Sequence, residues 1–166
     1  EPNTMTDAVI DDLARQVIET YAARGLTLGT AESCTGGLIA GALTGISGSS
    51  AVVDRGFVTY SNDAKMDLLD VSARTLRDHG AVSEATARAM AWGVLTHAPV
   101  DCAVAVTGIA GPTGGTKDKP VGLVHFGAAR HGRDIVHERH VFEGDRAAVR
   151  TATVKRALAL LLALAD

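Results

Sequence analysis

Three polar, glycine-containing segments each begin where a short apolar run ends, and this alternation constrains the fold of the chain most strongly. The segments cover residues 31–37, 59–65 and 107–116, and the apolar runs before them are typical of buried strands. Helical periodicity separates the runs, so the pattern predicts a sheet with helices on both faces. If these strands run parallel, their carboxyl ends meet at one edge of the sheet and bring the three segments together.

The apolar spacing places the individual elements along the chain. Helices are predicted at residues 6–24, 38–43, 63–69, 71–79, 83–97 and 145–164, and strands at 26–31, 52–60 (broken at Gly56), 101–106, 123–129 and 135–142. The last two strands form a hairpin or a neighbouring pair, so the sheet is expected to be mixed. The last helix ends in residues that are apolar on nearly every side, which indicates core, with a subunit interface as the alternative.

Length and charge exclude several classes of function. A chain of 166 residues suits one domain, which we assign to residues 5–166, and residues 1–4 are interpreted as a cloning remnant. The net charge of -3 and the aromatic content of 4% argue against a nucleic-acid partner. No apolar run is long enough for a membrane span, so we expect no membrane partner and a cytoplasmic location.

Ser33 lies where a predicted strand turns into a helix, the usual place for a ligand-binding group in an α/β fold. The N–H groups of Thr35, Gly36 and Gly37 suit an anion, including the oxyanion of a tetrahedral intermediate. A reactive serine needs an adjacent base, and no histidine lies in the three segments. Lys65 is the candidate base if its pKa is lowered from about 10.4. The alternative is that Ser33 only caps the helix and Lys65 is a solvated surface residue.

Other polar residues leave alternatives open. Cys34 is a rival nucleophile, because a helix N-terminus lowers a thiol pKa, or else a small core residue. Glu32 could bind a sugar hydroxyl, orient the loop or serve as a structural carboxylate. The loop that begins at Thr107 lacks the P-loop and dinucleotide patterns, so it either binds an anion through its N–H groups or is a flexible surface loop. His137 and His140 should face opposite sides of a strand and form no metal site.

Read together, these segments resemble the CinA C-terminal domain family, the nicotinamide mononucleotide deamidases, over nearly the whole chain. The matching stretches are residues 30–37 (TAESCTGG), 48–50 (GSS), 58–62 (VTYSN) with Ala64 and Lys65, 79–84 (HGAVSE), 107–112 (TGIAGP), 114–116 (GGT) and 119–122 (KPVG). The resemblance implies an α/β fold, a three-layer α/β/α sandwich with a mixed, mostly parallel sheet, commonly in a homodimer. It also implies a small-molecule nucleotide substrate. Members of the family hydrolyse nicotinamide mononucleotide to nicotinate mononucleotide and ammonia, in pyridine nucleotide recycling, without a metal or organic cofactor.

The family's functional residues can be carried over position by position. The nucleophile then falls on Ser33, the base on Lys65 and an assisting group on Tyr60. The positions expected to bind substrate are Glu32, Thr35, Gly36, Gly37, Gly48, Ser49, Thr107, Gly108 and Arg146. The oxyanion is expected near Gly36 and Gly37 or near Gly48 and Ser49, and Arg146 or an apolar wall is expected to keep Lys65 neutral. The alternative function is a non-catalytic nucleotide-binding or competence-associated interaction module.

Overall fold

The computed structural model describes residues 7–166, so the cloning remnant assigned to residues 1–4 lies outside the described residues. The helices are α1 (Ala8–Arg24), α2 (Leu38–Thr44), α3 (Asn62–Leu69), α4 (Ala73–His79), α5 (Glu84–His97) and α6 (Arg146–Leu164). The strands are β1 (Leu28–Glu32), β2 (Val53–Val58), β3 (Cys102–Gly108), β4 (Leu123–Arg130) and β5 (Val136–Val141). Each predicted helix and strand is present, with its ends shifted by a few residues. Between residues 7 and 166, no helix has the length and apolarity needed to cross a bilayer.

The predicted break at Gly56 is wrong, because β2 is continuous through it. Gly56 pairs with Thr30 in the parallel register between β1 and β2. The missing side chain of Gly56 serves this pairing, since a Cβ there would lie 2.7 Å from Thr30 Oγ1. A glycine in a strand therefore marks a close approach here rather than an interruption.

The sheet has the order β2-β1-β3-β4-β5. Its first three strands are parallel, β4 is antiparallel to β3, and β5 is antiparallel to β4. One core lies under α1, α2 and α6, and a second lies on the other face under α3, α4 and α5. The mixed sheet and the three-layer α/β/α arrangement are as predicted.

The two faces of the sheet carry side chains of different size at β3. β3 directs Val104 to the core under α1 and α6, and Ala103 and Ala105 to the core under α5. On the α5 side a Cβ added to Gly127 would lie 2.5 Å from the carbonyl oxygen of Ala87 in α5. Small residues on this face therefore let α5 lie almost directly on the sheet backbone.

The apolar end of α6 is core, as predicted. Leu158 and Leu161 are fully buried, and Tyr21 of α1 donates a hydrogen bond of 2.6 Å to the carbonyl oxygen of Leu161. The contact joins α1 and α6, the first and last helices of the described chain, over the same face of the sheet.

The contact of α5 with α3 predicts a stability effect at Gly93. A Cβ on Gly93 would lie 2.8 Å from Leu69 Cβ and still closer to the Leu69 carbonyl oxygen. We expect Gly93→Ala to lower the free energy of unfolding by about 2–3 kcal/mol, because this overlap outweighs the gain of about 1 kcal/mol in helix propensity. The measurement is urea unfolding followed by circular dichroism.

The matched control is Gly41→Ala in α2, where an added Cβ would meet nothing within 4 Å. We expect this variant to gain up to about 1 kcal/mol, since only helix propensity changes. Equal stability of the two variants would contradict the close packing of α5 on α3.

Candidate active site

The carboxyl ends of the parallel strands surround a cavity of about 270 Å³, as the strand order requires. Of the residues singled out in the sequence, Ser33, Tyr60, Lys65, Thr107, Gly108 and Arg146 line it. The sequence analysis did not single out Ala81 and Val82, which also line the cavity. The HGAVSE motif at residues 79–84 contains both residues, but their apolar side chains suggested no chemical role.

Ser33 follows β1 directly and is held by the central strands. Its N–H donates a hydrogen bond of 3.1 Å to the carbonyl oxygen of Val106 in β3. The chain then turns sharply, with the N–H of Gly36 bonded to the Ser33 carbonyl oxygen at 3.1 Å. Gly36 and Gly37 have positive φ angles of 59° and 108°, a conformation that favours glycine, so the glycines in this segment are what allow the turn.

Lys65 comes from the first turns of α3 and reaches the serine. The helix begins after Ser61, whose hydroxyl accepts the N–H of Ala64 at 3.0 Å. The side chain of Lys65 is only 1% exposed, and its Nζ lies 3.0 Å from Ser33 Oγ. The alternative of a solvated surface lysine is therefore wrong.

Three oxygen atoms surround the amine of Lys65, so an ammonium donates to all three, whereas the neutral form donates to two and accepts from Ser33. Nζ donates to the carbonyl oxygens of Thr59 at 2.9 Å and Tyr60 at 3.3 Å. A neutral amine has two N–H groups and one lone pair, so these carbonyls occupy the donors. The lone pair then faces the hydroxyl of Ser33, which donates its proton to Nζ in this state.

Burial is the main cause that lowers the pKa of Lys65 below its usual 10.5, and an electrostatic interaction with Cys34 opposes the shift. Removing the ammonium ion from water disfavours the charged form. Burial therefore accounts for the lowered pKa of Lys65, and Arg146 is not among its causes. Arg146 instead donates to the Gly111 carbonyl oxygen at 2.8 Å and to Tyr60 Oη at 3.2 Å, at the mouth of the cavity.

Glu32 is fully buried and bound to the protein, so it does not line the cavity. One carboxylate oxygen accepts the Thr35 hydroxyl at 2.6 Å and the N–H of Ile39 at 2.8 Å. The other accepts the N–H of Ala40 at 3.1 Å. A carboxylate is favourable at the N-terminus of a helix. Of the interpretations that the sequence left open, the geometry favours orientation of the loop, and it leaves neither the Glu32 carboxylate nor the Thr35 hydroxyl facing the cavity.

The glycines expected to bind the oxyanion do not line the cavity either. The N–H of Gly36 is already bonded to Ser33, and Gly37 borders a separate groove of about 700 Å³ between α1, α2 and α6. Gly48 and Ser49 lie in the 3₁₀ turn before β2, where Ser49 N–H donates to Ile46. The binding roles of these four positions stay predictions without support from the cavity.

The two peptide N–H groups that directly follow Ser33 differ from that of Gly36. Within residues 7–166, the N–H groups of Cys34 and Thr35 form no hydrogen bond with another residue. Cys34 also lines the cavity beside Ser33. In other hydrolases the residue after a nucleophile on a strand-to-helix turn often supplies an oxyanion donor, and this rule points to Cys34 from the sequence.

Cys34 is a poor nucleophile at neutral pH. Burial raises the pKa of its thiol to about 11, and its own backbone N–H and, to a smaller extent, the neighbouring Arg150 and Lys65 offset this only in part. The expectation that a helix N-terminus lowers this pKa is wrong, because the side chain is only 6% exposed. The thiol therefore stays protonated.

Thr107 connects two walls of the cavity. The Thr107 hydroxyl donates to the Ala81 carbonyl oxygen at 2.7 Å and joins the end of β3 to a neighbouring wall of the cavity.

His137 and His140 face opposite sides of β5, as expected. His137 contacts His125, which the sequence analysis did not consider, and His140 contacts Glu138. Within the described residues no cluster of acidic residues, histidines or cysteines is arranged to hold a metal ion.

The fold and site together define an α/β/α sandwich protein with a buried serine–lysine pair at the carboxyl ends of its parallel strands. The sequence profile described as the CinA C-terminal domain matches residues 10–165. The chain belongs to the CinA C-terminal domain family, as its motifs predicted.

Similar proteins cover this chain almost from end to end. Nicotinamide-nucleotide amidohydrolase PncC of Escherichia coli (strain K12) is 49% identical over 157 residues, 95% of each chain. The PncC of Enterobacter agglomerans is 51% identical over 88% of this chain and 89% of its own. The crystal structure of the competence/damage inducible protein CihA from Agrobacterium tumefaciens superposes with a TM-score of 0.95 and is 52% identical, covering 98% of this chain and 99% of its own.

Proposed function

We propose that this protein is a nicotinamide-nucleotide amidohydrolase that converts nicotinamide mononucleotide to nicotinate mononucleotide and ammonia. The observation that carries the proposal is the buried contact of 3.0 Å between Ser33 Oγ and Lys65 Nζ. The printed names of the PncC relatives supply the substrate class. Such a reaction belongs to pyridine nucleotide recycling. The cytoplasmic location and the homodimer stay predictions.

In the first half of the reaction, Ser33 becomes acylated. Its Oγ attacks the carboxamide carbon while the hydroxyl proton passes to the neutral amine of Lys65. The carbonyl oxygen becomes an oxyanion, for which the free N–H groups of Cys34 and Thr35 are the proposed donors. The C–N bond then breaks, and Lys65 returns the proton to the nitrogen, which leaves as ammonia.

In the second half, water takes the place of ammonia. Lys65 accepts a proton from the water as it attacks the ester carbon, the bond to Ser33 breaks, and the proton returns to Ser33 Oγ. The acid is released and the serine–lysine pair is restored. These steps use only groups of this chain and the substrates.

The mouth of the cavity suits the phosphate of the substrate. Arg146 is exposed there, and the N–H groups of Gly111, Thr113 and Gly114 take part in no hydrogen bond within the described residues. Backbone N–H groups with an adjacent guanidinium form a favourable site for phosphate oxygens. The amide end of the nucleotide would lie against Ser33, and Tyr60 would help to hold Arg146.

The test is an assay of ammonia and nicotinate mononucleotide with three amides: the mononucleotide, nicotinamide riboside and nicotinamide. We expect the two products in equal amounts, and a kcat/KM about 10- to 100-fold lower for the riboside, which lacks the phosphate. Arg146→Met should remove most of this preference. A folded wild type that releases no ammonia from the mononucleotide would contradict the proposal, and binding without turnover would favour the non-catalytic module.

A further inference from the structure

Arg150 of α6 is bound to the turn that follows the nucleophile. Its Nε donates to the carbonyl oxygen of Cys34 at 3.1 Å, and its Nη2 donates to the carbonyl oxygen of Thr35 at 3.3 Å. These are two consecutive peptide groups directly after Ser33. Arg150 is half-buried and does not line the cavity that contains Ser33 and Lys65.

The geometry of the peptide group connects these contacts to the oxyanion. In a trans peptide the C=O and N–H point in opposite directions. Because the Cys34 carbonyl points to Arg150, the N–H of Thr35 in the same peptide group points away from α6. The Ser33 carbonyl accepts the N–H of Gly36, and this bond directs the N–H of Cys34 away from Gly36. Both N–H groups are thereby left without an internal acceptor.

Glu32 and Ser33 hold the rest of the turn, but among residues 7–166 the peptide group between Cys34 and Thr35 has no hydrogen bond to another residue apart from that with Arg150. Gly36 and Gly37 follow it with positive φ angles, and glycine adopts other conformations at little cost. The Cys34 carbonyl accepts no further hydrogen bond within the described residues, whereas the Thr35 carbonyl also accepts the N–H of Leu38 at 3.0 Å. Without Arg150, the peptide group between Cys34 and Thr35 would lose the one hydrogen bond to another residue that fixes its orientation within the described residues.

We propose that Arg150 is a positioning residue that fixes the turn after Ser33 so that the N–H groups of Cys34 and Thr35 are preorganised as oxyanion donors. The inference rests on the proposed function, since it assigns these donors to the same site. Arg150 acts on the transition state through the backbone and contacts neither substrate nor base. Its loss therefore lowers kcat and leaves KM nearly unchanged.

The test compares Arg150→Met and Arg150→Lys with Arg156→Met as the matched control. Arg156 lies on the same helix and makes two hydrogen bonds of 2.6 Å to Glu138, away from the cavity. For Arg150→Met we expect kcat to fall about 10- to 100-fold with KM changed less than about threefold, which is less than the roughly 10²- to 10³-fold fall for outright loss of an oxyanion donor. Arg150→Lys, which can still donate to one carbonyl, should recover part of the rate. Arg156→Met should match the wild type in kcat.

A second readout separates this inference from the proposed substrate. An alkyl fluorophosphonate is attacked by Ser33 Oγ, the P–F bond breaks, fluoride leaves, and Lys65 takes the serine proton. The phosphoryl oxygen needs the same N–H donors, so labelling of Arg150→Met should slow by a factor similar to kcat. If the wild type is labelled but does not hydrolyse the mononucleotide, the proposed substrate is contradicted and the role of Arg150 is not. Absence of labelling in the wild type, equal labelling of Arg150→Met, or a change confined to KM would overturn the role of Arg150.

Discussion

Replacing Ser33 with alanine is expected to lower kcat for amide hydrolysis by at least about 10³-fold, because no other group can form the acyl-enzyme. Ser33 Oγ is the only hydroxyl among the described residues that contacts the buried amine of Lys65. The side chain is small and borders a cavity, so we expect the free energy of unfolding to change by less than about 1 kcal/mol. The measurement is steady-state ammonia release, together with mass spectrometry of the fluorophosphonate-treated protein.

Cys34→Ala is the matched control for Ser33→Ala, because Cys34 is the neighbouring candidate nucleophile. Burial keeps the Cys34 thiol protonated, with a pKa of about 11, and the alanine variant keeps the backbone N–H proposed to bind the oxyanion. We expect this variant to retain at least about a third of the wild-type kcat, since a small core residue is replaced by another. If Cys34→Ala lost activity and Ser33→Ala kept it, the thiol would be the nucleophile.

Replacing Lys65 with methionine is expected to lower kcat by about 10³- to 10⁴-fold, the range for loss of a general base that also serves as the acid. Methionine has a similar length, so it fills the space of the buried side chain without an amine. The serine remains in place but has no group to accept its proton. If the kcat of Lys65→Met were within about tenfold of the wild-type kcat, Lys65 would be excluded as the base.

The pH dependence of the wild type should report the same amine. Only neutral Lys65 can accept the serine proton, so the rate of fluorophosphonate labelling should rise with pH and level off above the pKa of Lys65. Burial places that pKa below 10.5, and the midpoint of the rise should therefore lie below the usual lysine value. A midpoint at or above 10.5 would mean that Lys65 is not desolvated in the free protein.

The same lowered pKa has a consequence for stability. Below pH 10.5 the unfolded chain binds a proton at Lys65 more readily than the folded chain does, so this side chain opposes folding there. The penalty vanishes as the pH rises to the unfolded value. Lys65→Met should thus gain stability relative to the wild type at pH 7 and lose that advantage near pH 10.5. Chemical unfolding at the two pH values measures the difference.

The helices and strands of this chain were predictable because their apolar periodicity is strong and their ends carry ordinary caps. Asp7, Ser61, Ser72, Ser83 and Asp145 each accept an N–H at the start of a helix. The meeting of three polar segments followed from the parallel strand order alone. The pairing of Ser33 with Lys65 did not, since local spacing left Lys65 equally compatible with an exposed helix surface.

Other properties of the site depend on contacts that span the chain. The orientation of the Glu32 carboxylate depends on how β1 meets α2, and strand alternation alone does not reveal which hydrogen bonds it makes. Arg150 reaches Cys34 across 116 positions of sequence, so no local pattern connects them. The pKa of Cys34 is set by burial, which outweighs the effect of the nearby helix end that the sequence suggested. Gly56 looked like a break because the side chain that it must accommodate, Thr30, lies on another strand.

The position of β1 between β2 and β3 governs when activity can first arise during synthesis of the chain. Leu28 pairs with Cys102, and the N–H of Ser33 is bonded to Val106, so the nucleophile is anchored by a strand made some seventy residues later. Pairing over such a distance forms slowly, because loop closure precedes any gain from the contact. A nascent chain that ends before β3 therefore holds both Ser33 and Lys65 without the strand that fixes the serine. The hydrogen bond that anchors Ser33 to β3 can therefore form only after residue 106 has left the ribosome and inserted into the centre of the sheet.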